Sequence, residues 1–345
     1  MPVRPARLLT ASVLLFLTAA PCFAQTVYGV LPAKLDRKTD AISVAKELDV
    51  PVLRLHMVMQ QWNGTWPPFD KARAAGLQIA ANVNDGSPAT WAGKAPVPFP
   101  TDLAAYRKTL DDILTKYPPA LLAVENEEDN KGYHSGPIED YIAELAAATE
   151  VAHAHGIKVT NGGITSTPVR LLVWDDYMSR GLTREAQDYA DRALPAHIAQ
   201  ALATGSADHN KRFAETLAME KKLIAAYRSI PIDYVNFHWY EPVRSRGGKQ
   251  GVGDDTPFDM RALGETIAYL KRATGKPVLS NEIGQLNASA ALTAAMLDAA
   301  TRAGLSYVIW YSGDGGTGKA VALQNADGTL RPTGEAFRDF VAAHR

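Results

Sequence analysis

The chain has 345 residues, of which 36 are lysine or arginine and 37 are aspartate or glutamate. This near balance, without a basic patch or tail, argues against a nucleic-acid partner. Cysteine occurs once, at position 22, so a disulfide framework is excluded and the fold must rest on its hydrophobic core.

The first element in chain order is an N-terminal leader. Basic residues precede an apolar run over 8–20 that is too short to span a bilayer, and small residues follow it. A lipidated Cys22 is disfavoured because Pro21 directly precedes it. The pattern predicts a secretory signal peptide over residues 1–24 and a mature domain over 25–345. We therefore expect a secreted or periplasmic protein that is monomeric and has no membrane association after cleavage.

Eight short β-rich apolar runs then alternate with longer stretches in which apolar residues recur at helical spacing. The runs are VYGVL (27–31), VPVLRLHMV (50–58), LQIAANV (77–83), LLAVEN (121–126), IKVTNGG (157–163), YVNFHWY (234–240), PVLSNEI (277–283) and YVIWYS (307–312). Such alternation favours parallel βαβ units, and eight of them make a (β/α)8 barrel. The glycine-rich first turn of a dinucleotide-binding sheet is absent. The sequence therefore predicts an α/β protein with a single (β/α)8 barrel.

The connection between the fifth and sixth predicted strands is oversized. Residues from about 166 to 232 have a mostly helical pattern. We expect a helical insertion there that covers one side of the barrel mouth.

Acidic residues follow two strands that lie on opposite sides of the predicted barrel. The fourth strand runs into the segment Glu125-Asn126-Glu127-Glu128-Asp129, and the seventh ends in Asn281-Glu282. Chemistry in such barrels lies at the C-terminal strand ends, and glycoside hydrolysis needs one carboxylic acid and one carboxylate. Glutamate is also common at strand ends, so either group alone is better explained as a solvated loop residue.

The four acids of this run are not expected to be equivalent. Alternation places Glu125 on the face of Glu127, where it could tune that residue or contact substrate. Glu128 and Asp129 are expected in the solvated loop that follows. Like-charged neighbours disfavour an ionised carboxyl, so either Glu125 or Glu128 could help to keep Glu127 protonated.

Two further strands add polar pairs at a spacing of two, which places each pair on one face. The sixth strand carries His238 and Tyr240, and the second carries Arg54 and His56. An inward arginine needs a carboxylate partner, because an unpaired buried charge is very costly. A tyrosine hydroxyl beside a carboxylate favours its ionised form. A satisfied core histidine and a core aromatic are the alternatives for His238 and Tyr240.

Together these motifs resemble clan A of the glycoside hydrolases, notably families 5 and 39. The resemblance implies that Glu127, in an Asn-Glu pair at the end of the fourth strand, is the acid/base. It implies that Glu282 on the seventh strand is the nucleophile, and that the eighth-strand tryptophan floors the sugar site. The remaining matches are substrate-binding or orienting residues: Arg54, His56, Asn126, His238, Tyr240 and Trp310.

The resemblance implies an exported retaining glycosidase that cleaves β-linked oligo- or polysaccharides without a cofactor. A carbohydrate-binding barrel that has lost catalysis is the alternative. The presence of both glutamates with Arg54, His238 and Tyr240 favours the enzyme. A metallohydrolase has less support: His153 and His155 are two apart in a predicted helix and so do not share a face, and the first strand offers no ligand.

Other side chains near the strand ends suggest sugar subsites. Asn82, Asn84 and Asn161 could hydrogen-bond sugar hydroxyls, although asparagine also simply ends strands. Large aromatic rings at a barrel mouth could stack on sugars, with ordinary packing as the alternative. The tryptophans lie at or just after predicted strand ends: Trp62, Trp66, Trp91, Trp174, Trp239 and Trp310.

Overall fold

A computed structural model describes residues 25–33, 40–86, 96–205, 207–241, 259–313, 322–325 and 327–344. The predicted signal peptide (1–24) lies outside these ranges. Within them, no helix combines the length and apolar character needed to cross a bilayer.

Eight parallel strands form the centre of the molecule. They are β1 (Val27–Ala33), β2 (Val52–Val58), β3 (Gln78–Asn84), β4 (Leu121–Val124), β5 (Val159–Asn161), β6 (Val235–Glu241), β7 (Val278–Gln285) and β8 (Tyr307–Gly313). Their spatial order is β5-β4-β3-β2-β1-β8-β7-β6. Isolated parallel bridges, Thr160 with Tyr234 and Ile164 with Phe237, join β5 to β6 and bring the barrel close to closure. The predicted (β/α)8 barrel is confirmed.

Helices surround this barrel. In the described part of the chain they are α1 (Ala41–Glu47), α2 (Pro67–Ala74), α3 (Leu103–Lys116), α4 (Ile138–Ala154), α5 (Ser166–Ser179), α6 (Thr183–Ala193), α7 (Ala196–Thr204), α8 (Ala207–Ser229), α9 (Arg261–Thr274), α10 (Ala290–Arg302) and α11 (Pro332–Ala343). Four of them, α5 to α8, lie between β5 and β6, where the sequence predicts a helical insertion. The last of these, α8, packs against both α4 and α9.

The inward positions of the strands change character along the barrel axis. Near their starts they form a small apolar cluster: Val52, Ala80, Leu121, Leu279 and Ile309. Because side chains alternate across a strand, residues two and four positions further along face the same interior. Those positions are polar on several strands, so the interior becomes a polar mouth. Outward-facing residues join the larger core under the helices.

One contact in the outer core joins β8 to α11. The rings of Trp310 and Phe337 are 5.8 Å apart at an interplanar angle of 59°, and both side chains are fully buried. We expect Phe337→Ala to lower the free energy of unfolding by about 3–5 kcal/mol, because it leaves a cavity beside Trp310. Urea denaturation measures the change.

The matched control is Asp339→Ala on the exposed face of the same helix. It should change the free energy of unfolding by less than about 0.5 kcal/mol. Equal losses in the two variants would contradict the assigned packing.

Candidate active site

The barrel mouth is organised around the buried Arg54 guanidinium of β2. Its Nη1 donates to Glu282 Oε2 at 2.6 Å and to the main-chain oxygen of Asn281 at 3.1 Å. Its Nη2 donates to the Oδ1 atoms of Asn82 and Asn126, both at 2.5 Å. The carboxylate partner that an inward arginine requires is therefore Glu282, and one side chain links β2, β3, β7 and the loop after β4.

Glu282 is held as a carboxylate. In addition to Arg54, the Tyr240 hydroxyl donates to its Oε1 at 2.6 Å. Burial alone would raise the pKa of Glu282, but His238, Arg54 and the Tyr240 hydrogen bond outweigh it and lower that pKa below its usual value. Burial and the neighbouring Glu282 raise the pKa of Tyr240 well above its ordinary value, which keeps the hydroxyl a donor.

Glu127 lies on the loop that follows β4. Its Oε2 accepts a hydrogen bond from Asn130 Nδ2 at 2.8 Å, and its Oε1 lies 3.0 Å from His238 Nδ1. The main chain has φ values of 63° at Glu125 and 50° at Glu127, a left-handed conformation that non-glycine residues seldom adopt. Such strained turns persist where the surrounding structure holds them, and they are frequent at functional sites. At least one oxygen of Glu127, one of Glu282 and a ring nitrogen of His238 lie within 4.8 Å of one another.

His238 is fully buried between the two glutamates. Its Nδ1 faces Glu127 and lies 3.9 Å from Glu282 Oε1, while Nε2 lies 3.0 Å from Asn281 Oδ1. Burial lowers the pKa of His238, but Glu282 and Glu127 overcome that effect and raise the pKa above its ordinary value. The imidazole can therefore exchange a proton with Glu127 along an existing hydrogen bond.

The same three residues have a spacing that could hold a metal ion. The donor set argues against that use. Both oxygens of Glu282 already accept hydrogen bonds from strong donors, Arg54 and Tyr240. A divalent cation there would also lie beside a guanidinium. The arrangement fits two opposed carboxyl groups better than a metal centre.

The other predicted orienting residues lie close to this centre. His56 Nε2 lies 2.7 Å from Asn84 Oδ1, and burial lowers the pKa of His56 to about 4, so it stays neutral. Asn126 uses its Oδ1 on Arg54, and its main-chain oxygen lies 2.9 Å from His134 Nε2.

The asparagines considered for sugar binding form hydrogen bonds within the protein instead. Asn82 Nδ2 donates to Asn84 Oδ1 at 3.1 Å and to the main-chain oxygen of Glu125 at 2.9 Å. Asn161 Nδ2 donates to Glu128 Oε1 at 2.7 Å. All three asparagines are buried, and their side chains form hydrogen bonds with the loop after β4.

The expectation that Glu128 and Asp129 lie in a solvated loop is wrong, because they are only 2% and 6% exposed. Glu128 Oε1 accepts hydrogen bonds from Asn161 and from the Tyr227 hydroxyl of α8. Asp129 Oδ2 accepts from the main-chain N of Thr165 at 2.9 Å and from its hydroxyl at 2.6 Å. The turn after β4 directs both carboxyl groups into the protein.

The placement of Glu125 on the face of Glu127 is also wrong. β4 ends at Val124, so strand alternation does not extend to these residues. The Glu125 carboxyl instead accepts hydrogen bonds from Asn84 Nδ2 and from the main-chain N of Asp85. Burial raises the pKa of Glu125 to about 7.

Trp310 does not floor the mouth, which corrects another expectation. It is fully buried and packs on Phe337, on the outward face of β8. Tyr311, the next residue, faces the interior with its ring 5.9 Å from that of Tyr240. Burial and then Glu282 raise the pKa of Tyr311. Tyr311 lies two residues after Ile309, so strand alternation places both side chains in the interior. That spacing was the sequence signal that could have identified Tyr311.

The remaining tryptophans have packing roles where the structure describes them. Trp239 is fully buried on the outward face of β6. Trp91 lies outside the described residues. Three others pack partly buried against the core: Trp62, Trp66 and Trp174.

The two histidines considered as metal ligands form separate pairs with carboxylates. His153 Nε2 lies 3.0 Å from Asp233, and His155 Nε2 lies 2.7 Å from Asp111. They do not share a site.

No family model matches the chain, and no curated protein matches it in sequence. Similarity appears in solved structures of glycoside hydrolases. One is a GH30 endoxylanase from Clostridium papyrosolvens C71, with 12% identity, a TM-score of 0.53, and coverage of 94% of this chain and 74% of that one. Another is an endo-β-1,4-glucanase from Xanthomonas axonopodis pv. citri carrying a triple mutation, with 10% identity, a TM-score of 0.54, and coverage of 92% and 99%.

A third is a GH128 (subgroup II) endo-β-1,3-glucanase from Pseudomonas viridiflava, with 14% identity, a TM-score of 0.50, and coverage of 91% and 97%. At these identities the likeness establishes the fold. The chain therefore shares the (β/α)8 barrel fold of these proteins, with two opposed glutamates at the mouth of its barrel.

Gly163 provides a test of this geometry. A Cβ added there would lie 2.3 Å from His238 Nε2, at a φ of 125° that favours glycine. We expect Gly163→Ala to displace the His238 ring and to lower the free energy of unfolding, as measured by urea denaturation and by the NMR signals of the ring.

Gly181→Ala is the matched control, because its φ of 73° is also positive but a Cβ there meets nothing within 4 Å. It should cost only the backbone term of about 1–2 kcal/mol and leave the His238 signals in place. Unchanged His238 signals in Gly163→Ala would refute the close packing of that ring.

Proposed function

We propose that the protein is an exported retaining glycoside hydrolase that cleaves β-linked oligo- or polysaccharides by double displacement. The observation that carries this proposal is that one carboxyl oxygen of Glu127 lies within 4.8 Å of one carboxyl oxygen of Glu282. Retaining enzymes hold their two carboxyl groups about 5–5.5 Å apart, whereas inverting enzymes need about 6.5–9.5 Å to admit a water molecule. The short separation supports direct attack by a carboxylate.

Glu282 is the nucleophile in this proposal. A nucleophile must be ionised at the working pH, and Arg54 and Tyr240 both stabilise the carboxylate. One oxygen attacks the anomeric carbon, and the bond to the leaving oxygen breaks. The Arg54 and Tyr240 contacts hold the carboxylate in place during the attack.

Glu127 is the acid/base. In the first step its carboxylic acid donates a proton to the departing oxygen, and in the second its carboxylate removes a proton from the water that releases the sugar. His238 Nδ1, 3.0 Å away, can donate to the carboxylate or, as a neutral imidazole, accept from the acid. The histidine therefore serves both protonation states of Glu127.

The substrate class has two further supports. Tyr311 presents an aromatic ring at the mouth beside Tyr240, where the apolar face of a sugar could stack. The structurally similar proteins are named for action on β-1,4-glucan, β-1,3-glucan and xylan linkages, which supports a β-linked substrate. Export is proposed from the leader pattern of residues 1–24.

The central test uses isosteric variants on a panel of aryl β-glycosides and β-linked oligosaccharides. We expect Glu127→Gln and Glu282→Gln each to lower kcat/KM by at least about 10²–10⁴-fold, because each removes a proton-transfer or nucleophilic group. Glu335→Gln, at an exposed position of α11, is the control and should retain activity. Proton NMR of the first product should show the β anomer.

An α anomer as first product would refute the retaining mechanism. Sugar binding by the wild type without turnover on any substrate of the panel would support the inactive carbohydrate-binding barrel instead.

A second test concerns the acidic limb of the pH profile. Activity requires ionised Glu282, so it falls as pH drops through the pKa of that group. Tyr240→Phe removes a hydrogen bond that lowers this pKa, so the pKa rises and the acidic limb of kcat/KM moves to higher pH. Tyr311→Phe is the comparison, because Tyr311 lies nearby without that hydrogen bond. An acidic limb that is the same in Tyr240→Phe and wild type would contradict the role of Tyr240.

A further inference from the structure

Helix α8 carries a fully buried carboxyl group, that of Glu220. Among the described residues, no N–H or O–H donor satisfies either of its oxygens. Its side chain is instead within hydrogen-bonding reach of the Asp129 side chain, on the loop after β4. Two ionised carboxylates could not remain together in such a place, because a buried charge without a partner is very costly. The pair must hold a proton.

The hydrogen bonds of Asp129 indicate where the proton resides. Its Oδ2 accepts two hydrogen bonds from Thr165, so this oxygen does not carry the proton. Its Oδ1 has no such donor in the described chain. A proton on Glu220 would supply that donor and would leave Glu220 neutral in its buried position.

The surroundings favour retention of the proton. Burial, and next the neighbouring Glu128, raise the pKa of Asp129 to about 7. Burial, Asp129 and Glu128 together raise the pKa of Glu220 well above its ordinary value. The other titratable groups nearby are Glu127 from the loop after β4, Tyr141 from α4, Asp175 from α5, Lys221 and Tyr227 from α8, His238 from β6 and Tyr269 from α9. Lys221 is paired with Asp175 at 2.7 Å. Burial raises the pKa of Glu128, and a positive charge on His238 partly offsets that effect.

The pair is connected to the candidate acid/base by a short stretch of chain. Asp129 lies two residues after Glu127, and Asn130 donates from its side chain to Glu127 Oε2 and from its main chain to the Glu127 carbonyl, both at 2.8 Å. The left-handed φ values at Glu125 and Glu127 must be held by contacts outside the loop. The contact of Asp129 with α8 is one of them.

We propose that Glu220 is a positioning residue: as a neutral acid it donates a hydrogen bond to Asp129 and thereby holds the loop that carries Glu127. This proposal rests on the proposed function for its effect on activity. At high pH the shared proton is lost, two buried carboxylates repel each other, and the loop leaves its position. The enzyme then loses activity at high pH because the loop that carries Glu127 is displaced.

The test compares Glu220→Gln with Glu215→Gln, an exposed glutamate of the same helix. The amide that Glu220→Gln introduces can donate to Asp129 at every pH, so kcat at the optimum should stay within about twofold of wild type. The alkaline limb of kcat should move upward by at least about 0.5 pH unit. Glu220→Leu removes the donor and should lower kcat about tenfold or more with little change in KM. Glu215→Gln should match the wild-type profile.

A second readout, thermal unfolding, does not depend on activity. Glu220 has a raised folded-state pKa, so the folded state binds more protons than the unfolded state above about pH 4.3, and wild-type stability falls as pH rises. Glu220→Gln has no such proton to lose. Its Tm relative to wild type should therefore increase between about pH 5 and pH 8, while that of Glu215→Gln should stay constant.

The outcomes separate this proposal from the proposed function. If the wild type hydrolyses no sugar, the proposed function fails, and the Tm comparison still supports or overturns the shared proton. The positioning role is overturned if the wild type is active, the alkaline limb of Glu220→Gln is the same as that of wild type, and the Tm difference between the two proteins does not change with pH. Should Glu220→Gln fail to fold, Asp129→Asn removes the shared proton from the other side and should flatten the same pH dependence.

Discussion

The ion pair between Arg54 and Glu282 is the interaction on which the barrel mouth depends. A guanidinium inside a barrel is tolerated only with a carboxylate partner and with acceptors for its remaining hydrogens. Arg54 finds these on three other structural segments, through Asn82, Asn126 and Glu282, so one charge fixes the relative positions of β2, β3, β7 and the β4 loop. The same pair keeps Glu282 ionised. Structural support and chemical reactivity therefore come from a single contact.

The acids after β4 follow a different rule, because no second arginine reaches them among the described contacts. Glu125 faces Glu144 of α4 and Asp129 faces Glu220 of α8, and both helix carboxyls are fully buried. Burial, then the adjacent acid, raises the pKa of Glu144 and of Glu220 well above the ordinary value. A buried acid that keeps its proton can act as a hydrogen-bond donor. Two carboxyl groups of the loop thus face a neutral acid, whereas Glu282 faces a cation.

Much of this arrangement follows from sequence, and the parts that do not have physical reasons. Period-two alternation is reliable inside a strand, so Arg54 and Tyr240 could be placed in the interior from spacing alone, and the same parity places Trp310 outside. It fails beyond Val124, where left-handed residues break the strand, so the burial of Glu128 was not predictable. Glu220, the partner of Asp129, lies about 90 residues further along the chain in α8. Helical periodicity predicts that Glu220 is buried or exposed, but it does not predict which side chain it contacts.

The long connection after β5 can be understood from the contacts of its last helix. α8 packs between α4 and α9, the place of an outer-ring helix of the barrel, whereas α5, α6 and α7 are the additional elements. The predicted insertion therefore contains one helix that the barrel itself requires. That helix brings Tyr227 to Glu128 and Glu220 to Asp129, directly behind the loop of Glu127. Contacts with α8 stabilise this loop, because a turn with two left-handed non-glycine residues persists only when neighbouring structure holds it.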